Sequence, residues 1–167
     1  AYTGALRVLK PILGYDYLWL NVRVKGGAYG VMNSAGRSGE GYFVSYRDPN
    51  LKETDQVFEG VADYLEQFDA DERDMTKYVI GTISDMDTPL LPPYKGAKAV
   101  SAWYSGITDE MLAEERRQVL AAQPEDIRAL AKIIRAILST GSFCVVGNSE
   151  KIKENKELFG SIKNLFN

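Results

Sequence analysis

No histidine occurs anywhere in the 167 residues. That absence excludes Ser-His-Asp and Cys-His catalysis and the imidazole ligands on which catalytic zinc sites usually depend. A self-contained hydrolase is therefore not expected. Cysteine is nearly absent as well: Cys144 is the single thiol, so no internal disulfide can form. It sits in the apolar run Ser142-Phe143-Cys144-Val145-Val146-Gly147, where a buried thiol in a reducing compartment is the expectation. No apolar run approaches the roughly 20 residues needed to cross a bilayer, and the amino terminus lacks the basic, apolar, small-residue order of a signal peptide. Charge of one sign is lacking too. Twenty basic and 23 acidic residues are interspersed to a net charge of -3, which leaves neither nucleic acid nor an anionic membrane as an expected partner.

What is present fits one globular domain: 45% of residues are hydrophobic and 26% charged. Ala1 opens without an initiator methionine and runs straight into helical sequence, so residues 1–167 are expected to be a fragment of a larger polypeptide. Leu6, Leu9 and Leu13 share a helical face, Gly14 is a stop, and Tyr15, Leu18 and Val22 repeat the spacing in a second helix. Two runs rich in β-formers, 28–33 and 41–47, flank the turn-forming Ser34-Ala35-Gly36-Arg37-Ser38-Gly39-Glu40 and predict a β-hairpin.

Amphipathic helices are expected through Val57, Val61, Leu65 and Phe68, and again through Met75, Tyr78, Val79, Ile83 and Met86. Three prolines between Asp87 and Pro93 interrupt helix there. A helix over 94–106 presents Val100, Trp103 and Tyr104, which are assigned to core or interdomain packing. Thr108 caps the next helix, and Pro124 opens another with Ile127, Leu130, Ile134 and Ile137 as its buried stripe, ending at Gly141. Phe143 to Val146 reads as a buried strand, Asn148 as the cap of a short helix, and Ser161 to Phe166 as an edge strand or final turn. The pattern predicts an α+β fold, a mixed α/β sandwich with helices on one face of a mainly antiparallel sheet.

The chemistry concentrates in Arg23-Val24-Lys25-Gly26-Gly27-Ala28-Tyr29-Gly30. Paired glycines let another main chain approach closely. Arg23 carries a permanently charged fork of donors and Tyr29 a phenolic O–H, and both groups can stabilise a carbonyl oxygen as it gains negative charge. Neither is a base at neutral pH. Composition alone favours a plain helix-to-strand turn with Arg23 in a surface ion pair and Tyr29 packed on the sheet. The glycines of 36–41 do not follow a phosphate-loop order, and Asp85 and Asp87 are better placed for capping and solvation than for paired-carboxylate catalysis.

Together with Tyr17-Leu18-Trp19, this loop resembles the carboxy-terminal domain of the pitrilysin/insulinase family of zinc metallopeptidases, in the presequence-protease-like branch. Gly106-Ile107-Thr108, Pro124-Glu125-Asp126-Ile127 and Val145-Val146-Gly147-Asn148 agree in kind and order, so the resemblance runs from about Leu6 to Phe166. It implies two clamshell halves enclosing a chamber, with zinc held in the first domain by an inverted His-x-x-Glu-His helix that this chain lacks. By the same resemblance, Arg23 and Tyr29 reach the substrate at that zinc site, with Gly26, Gly27 and Ala28 contributing to substrate binding. Unstructured peptides are the implied substrates, the remaining domains the implied partners, and zinc a cofactor bound outside this chain, which alone would be inactive. The alternative is a non-catalytic structural or partner subunit of the same fold. A bacterial cytoplasmic location is the default expectation, with an organellar matrix as the other.

Overall fold

The computed structural model describes residues 2–165. Its organising element is α1 (Ala5–Ile12), which buries Ala5, Leu6, Val8, Leu9 and Ile12. A helix with that much apolar surface must be enclosed on several sides. Three later helices and the first strand supply the enclosure: α4 (Glu72–Met86), α6 (Asp109–Leu120), α7 (Pro124–Ala129) and β1 (Gly30–Ala35) all pack on it. At its start the Gly4 N–H, an otherwise orphaned helix donor, is accepted by Gln118 Oε1 of α6 at 2.6 Å.

The helix does not stop at Gly14. It continues with wider π winding through Leu13–Tyr17 and Trp19–Lys25. Leu9, Leu13, Leu18 and Val22 form its buried line, at intervals of four, five and four residues. Tyr15, which α-helical spacing assigns to the buried face, is instead 74% exposed. The i→i+5 hydrogen bonds of π winding rotate it outward.

β1 pairs antiparallel with β2 (Gly41–Tyr46) in the expected hairpin, with Val31 opposite Ser45 and Asn33 opposite Phe43. Val31, Ala35 and Phe43 face the helical core, while Met32, Tyr42, Val44 and Tyr46 face solvent. Helices thus cover one face of the antiparallel sheet, as expected for an α+β fold. The expected helix through Val57 and Phe68 is broken at Gly60 into α2 (Lys52–Glu59) and α3 (Val61–Glu66). α3 packs against α8 (Ala131–Leu138), which also lies on β2. Thr108 accepts from the Met111 N–H to cap α6, Pro124 opens α7, and Asn148 accepts from the N–H groups of Glu150 and Lys151 to cap α9 (Ser149–Glu154). Those signals act locally, which is why the chain obeys them.

Further expectations fail toward the carboxy-terminal end. Phe143–Val146 is irregular rather than a strand, and Cys144 is exposed rather than buried. A strand exists only with a ladder partner. The sheet among the described residues has only β1 and β2, so nothing covers the thiol; Phe143 instead stacks on Phe159 at 5.5 Å. Likewise α5 (Pro92–Tyr104) buries none of its residues, and Trp103 is 75% exposed. Its packing within a core is therefore not realised among the described residues. Ser161 to Leu165 is also irregular, and Phe166 lies outside the described residues.

Candidate functional site

Arg23 lies in the last turn of the π-wound segment, and Tyr29 immediately precedes β1. Between them the helix closes on its own carbonyls. Gly26 N–H donates to Asn21 O at 3.1 Å, Gly27 N–H to Arg23 O at 2.9 Å, and Ala28 N–H to Val22 O at 3.1 Å. This satisfies the terminal acceptors that would otherwise be orphaned. Both glycines are required by the geometry. Gly27 has φ +79, and a Cβ at Gly26 would sit 2.6 Å from the Val22 carbonyl oxygen.

The following loop braces this turn from outside. Asn50 Nδ2 donates to Gly26 O at 2.5 Å, and Pro49 lies 3.7 Å from the position a Cβ on Gly27 would take. Asp48 fixes the brace by accepting from the Asn50 N–H at 2.9 Å and from the buried Thr54 hydroxyl at 2.8 Å. Gly27 is the open member of the triplet. Ala28 is buried in the core, and Gly26 is partly covered.

The two predicted donors have different surroundings. The Arg23 guanidinium lies 3.9 Å from the centroid of the Trp19 ring, one turn earlier, a cation–π contact that orients the fork. Tyr29 is 65% exposed and meets Tyr46 edge to face, with centroids 5.9 Å apart. Its backbone N–H is shared between Tyr46 O at 3.1 Å and Arg47 O at 3.3 Å, while the Arg47 guanidinium lies 5.7 Å from its ring centroid. No hydrogen bond or ring contact joins Arg23 to Tyr29 among the described residues. Neither side chain is in an ion pair there. Arg23 is partly buried and Tyr29 exposed, and the two stand at opposite ends of one hydrogen-bonded turn. Of the plain-turn alternative, the helix-to-strand turn and the packing of Tyr29 on Tyr46 of the sheet are present, while Arg23 forms no ion pair among the described residues.

Sequence reasoning missed the contributions of Trp19, Arg47 and Asn50. Asp48-Pro49-Asn50 is a turn-forming run that could have drawn attention to this segment, though not to what it holds. The other carboxylates considered are structural. Asp87 binds Arg116 through two hydrogen bonds of 2.6 and 2.8 Å, and that pairing lowers its pKa; Asp85 pairs with Lys10 at 2.5 Å.

A zinc ion does not fit the residues present. The chain has no histidine, and among the described residues no three His, Cys, Asp or Glu side chains are grouped to hold a metal. No helix among them is long and apolar enough to cross a membrane.

Comparison with known proteins places the chain in a family. The sequence profile described as the PreP C-terminal domain matches residues 2–150. The protein HypA of Clostridium perfringens is 50% identical over 164 residues, covering 98% of this chain and 17% of HypA. Presequence protease 1, chloroplastic/mitochondrial, of Arabidopsis thaliana is 35% identical over 150 residues, covering 89% of this chain and 14% of that protein. The mitochondrial presequence protease of Schizosaccharomyces pombe is 30% identical over 128 residues, covering 76% of the chain and 13% of that protein. The chain thus spans well under a fifth of each of these relatives. With an α+β architecture in which a helix passes through a glycine turn into a hairpin, and with a profile match over most of its length, the chain belongs to the PreP C-terminal domain family, in the presequence-protease branch of the pitrilysin/insulinase peptidases.

Proposed function

We propose that this chain is the carboxy-terminal domain of a zinc-dependent metalloendopeptidase that degrades unstructured peptides in a closed chamber. Its part is to supply Arg23 and Tyr29 as donors to the substrate carbonyl. The observation that carries the reading is the braced glycine turn, which holds a guanidinium and a phenol outward with neither engaged in an ion pair among the described residues. Donors fixed before the substrate arrives need no reorganisation when charge develops on the carbonyl oxygen, and this is what makes them effective.

In this reading Gly27 is where the peptide main chain approaches, and Gly26 and Ala28 set the position of that turn. The metal and the general base come from other domains of the same polypeptide, since the residues here do not suit a metal. Donors carried on a separate domain act only when the domains close over the peptide, so closure gates turnover. The same enclosure favours unstructured peptides over folded proteins. Relatives named as mitochondrial or chloroplastic/mitochondrial make an organellar matrix one location for this activity; the bacterial cytoplasm is the other, and the chemistry is the same in both.

The test is steady-state kinetics of the intact polypeptide on a fluorogenic unstructured peptide. Arg23→Ala is expected to lower kcat/KM with contributions from both terms, because the guanidinium both positions substrate and stabilises charge. Unchanged kinetics would overturn the donor role of Arg23, whereas absence of any cleavage by the intact wild-type polypeptide would favour the non-catalytic structural or partner subunit. This chain alone is expected to cleave no peptide.

A further inference from the structure

Arg47 is the one residue other than glycine with a positive φ among the described residues, at 48°. Left-handed backbone is unfavourable for a long side chain and persists only where the surroundings enforce it. Glycine would adopt this conformation without strain, so the turn itself does not require arginine.

What the arginine adds is visible in its contacts. Its left-handed backbone turns its carbonyl toward the Tyr29 N–H, which it shares with Tyr46 O. Its guanidinium lies over two rings, 5.7 Å from the Tyr29 centroid and 5.3 Å from that of Tyr46. Tyr29 and Tyr46 meet at an interplanar angle of 80°. Arg47 therefore grips Tyr29 through both main chain and side chain, and the next residues, Asp48 to Asn50, grip the glycine turn. Residues 47–50 form one clamp across the helix-to-strand junction.

We infer that Arg47 is a positioning residue, holding the exposed Tyr29 ring so that its hydroxyl is aimed before the peptide arrives. The inference rests on the donor role proposed for Tyr29. An exposed tyrosine with two free side-chain torsions is a poor donor unless its ring is fixed, and a cation over the ring face fixes it without occupying the hydroxyl.

The test compares four variants of the intact polypeptide on the fluorogenic peptide: Arg47→Gly, Arg47→Lys, Tyr29→Phe and the double variant Arg47→Gly/Tyr29→Phe. Arg47→Gly relieves the backbone while deleting the guanidinium. It is expected to leave the melting temperature equal or higher, to lower kcat about tenfold, and to change KM little. Arg47→Lys, which retains a cation, should recover most of the loss. In the Tyr29→Phe background, Arg47→Gly should cost nothing further, because the group it positions is gone. A fifth variant, Arg47→Asn, which also tolerates left-handed backbone and lacks any cation, should lose kcat as Arg47→Gly does.

Wild-type kcat in Arg47→Gly, with Tyr29→Phe impaired, would overturn the positioning role alone. Equal losses from Arg47→Gly in both backgrounds would overturn it as well. Wild-type kcat in Tyr29→Phe would overturn the donor role of Tyr29, and the role of Arg47 with it.

Discussion

Glu115 is the most deeply buried charge among the described residues, at 2% exposure on α6. Arg7 of α1, Arg37 from the hairpin turn and the Tyr2 hydroxyl all donate to it, so one carboxylate joins three segments. Burial acts to raise its pKa, but the hydrogen bonds from Arg7, Tyr2 and Arg37 outweigh burial and hold it below the usual value. Because the folded pKa is depressed, the stabilisation is complete above the ordinary value of 4.5 and is lost as pH falls through the folded value. Glu115→Ala is expected to lower the unfolding free energy of the chain by about 3 kcal/mol at neutral pH, the low end for breaking a buried pair, since Arg7 keeps water access. Urea unfolding should show that deficit at pH 7 and a smaller one in acid, once pH has fallen through the depressed pKa of Glu115. A deficit independent of pH would mean that packing, not charge, is responsible. The Tyr2 phenol responds in the opposite direction: burial, then its bond to Glu115, pushes its pKa up to about 12, so its neutral form stabilises the fold until pH rises past 10.

At the scale of elements, the unusual feature is the π winding from Leu13 to Lys25, which decides what faces the core and where Arg23 emerges. Leu18 is fully buried on this winding and Tyr15 is not. Leu18→Ala should cost about 2–5 kcal/mol, whereas Tyr15→Ala should stay within about 0.5 kcal/mol. Denaturant midpoints of the two variants test this. Comparable losses would contradict the winding. Thr108→Ala should cost about 1 kcal/mol through its lost cap, again by denaturant midpoint.

Caps, the hairpin and the stripes of α4 and α7 to α8 were legible in the sequence because each depends on a few neighbouring residues. The π winding was not legible, since Leu13 and Tyr15 both fit an apolar helical pattern until tertiary packing selects between them. Phe143 to Val146 misled for a related reason: its composition suits a buried strand, but pairing is decided by a partner far away in sequence. In the candidate site, Arg23, Tyr29 and the glycines of the turn could be singled out from the sequence. The grip of Arg47 on Tyr29 could not, because it depends on a backbone torsion and on an approach across 18 residues.

On the scale of the whole molecule, the core is gathered around α1, and the glycine turn is anchored to it through Val22 and Ala28. The site is therefore rigidly mounted. The apolar side chains left outside, on α5 and on the outer face of the hairpin, belong to surfaces that do not pack among the described residues. The central claim is that Tyr29 donates to the reacting carbonyl. Its most direct test is the single-turnover rate of peptide cleavage by the intact polypeptide carrying Tyr29→Phe, at saturating enzyme and with zinc content matched to wild type. Phenylalanine keeps the ring that meets Tyr46 and Arg47 and removes only the hydroxyl. The account predicts a chemical step slower by about 10² to 10³. A wild-type rate would contradict it.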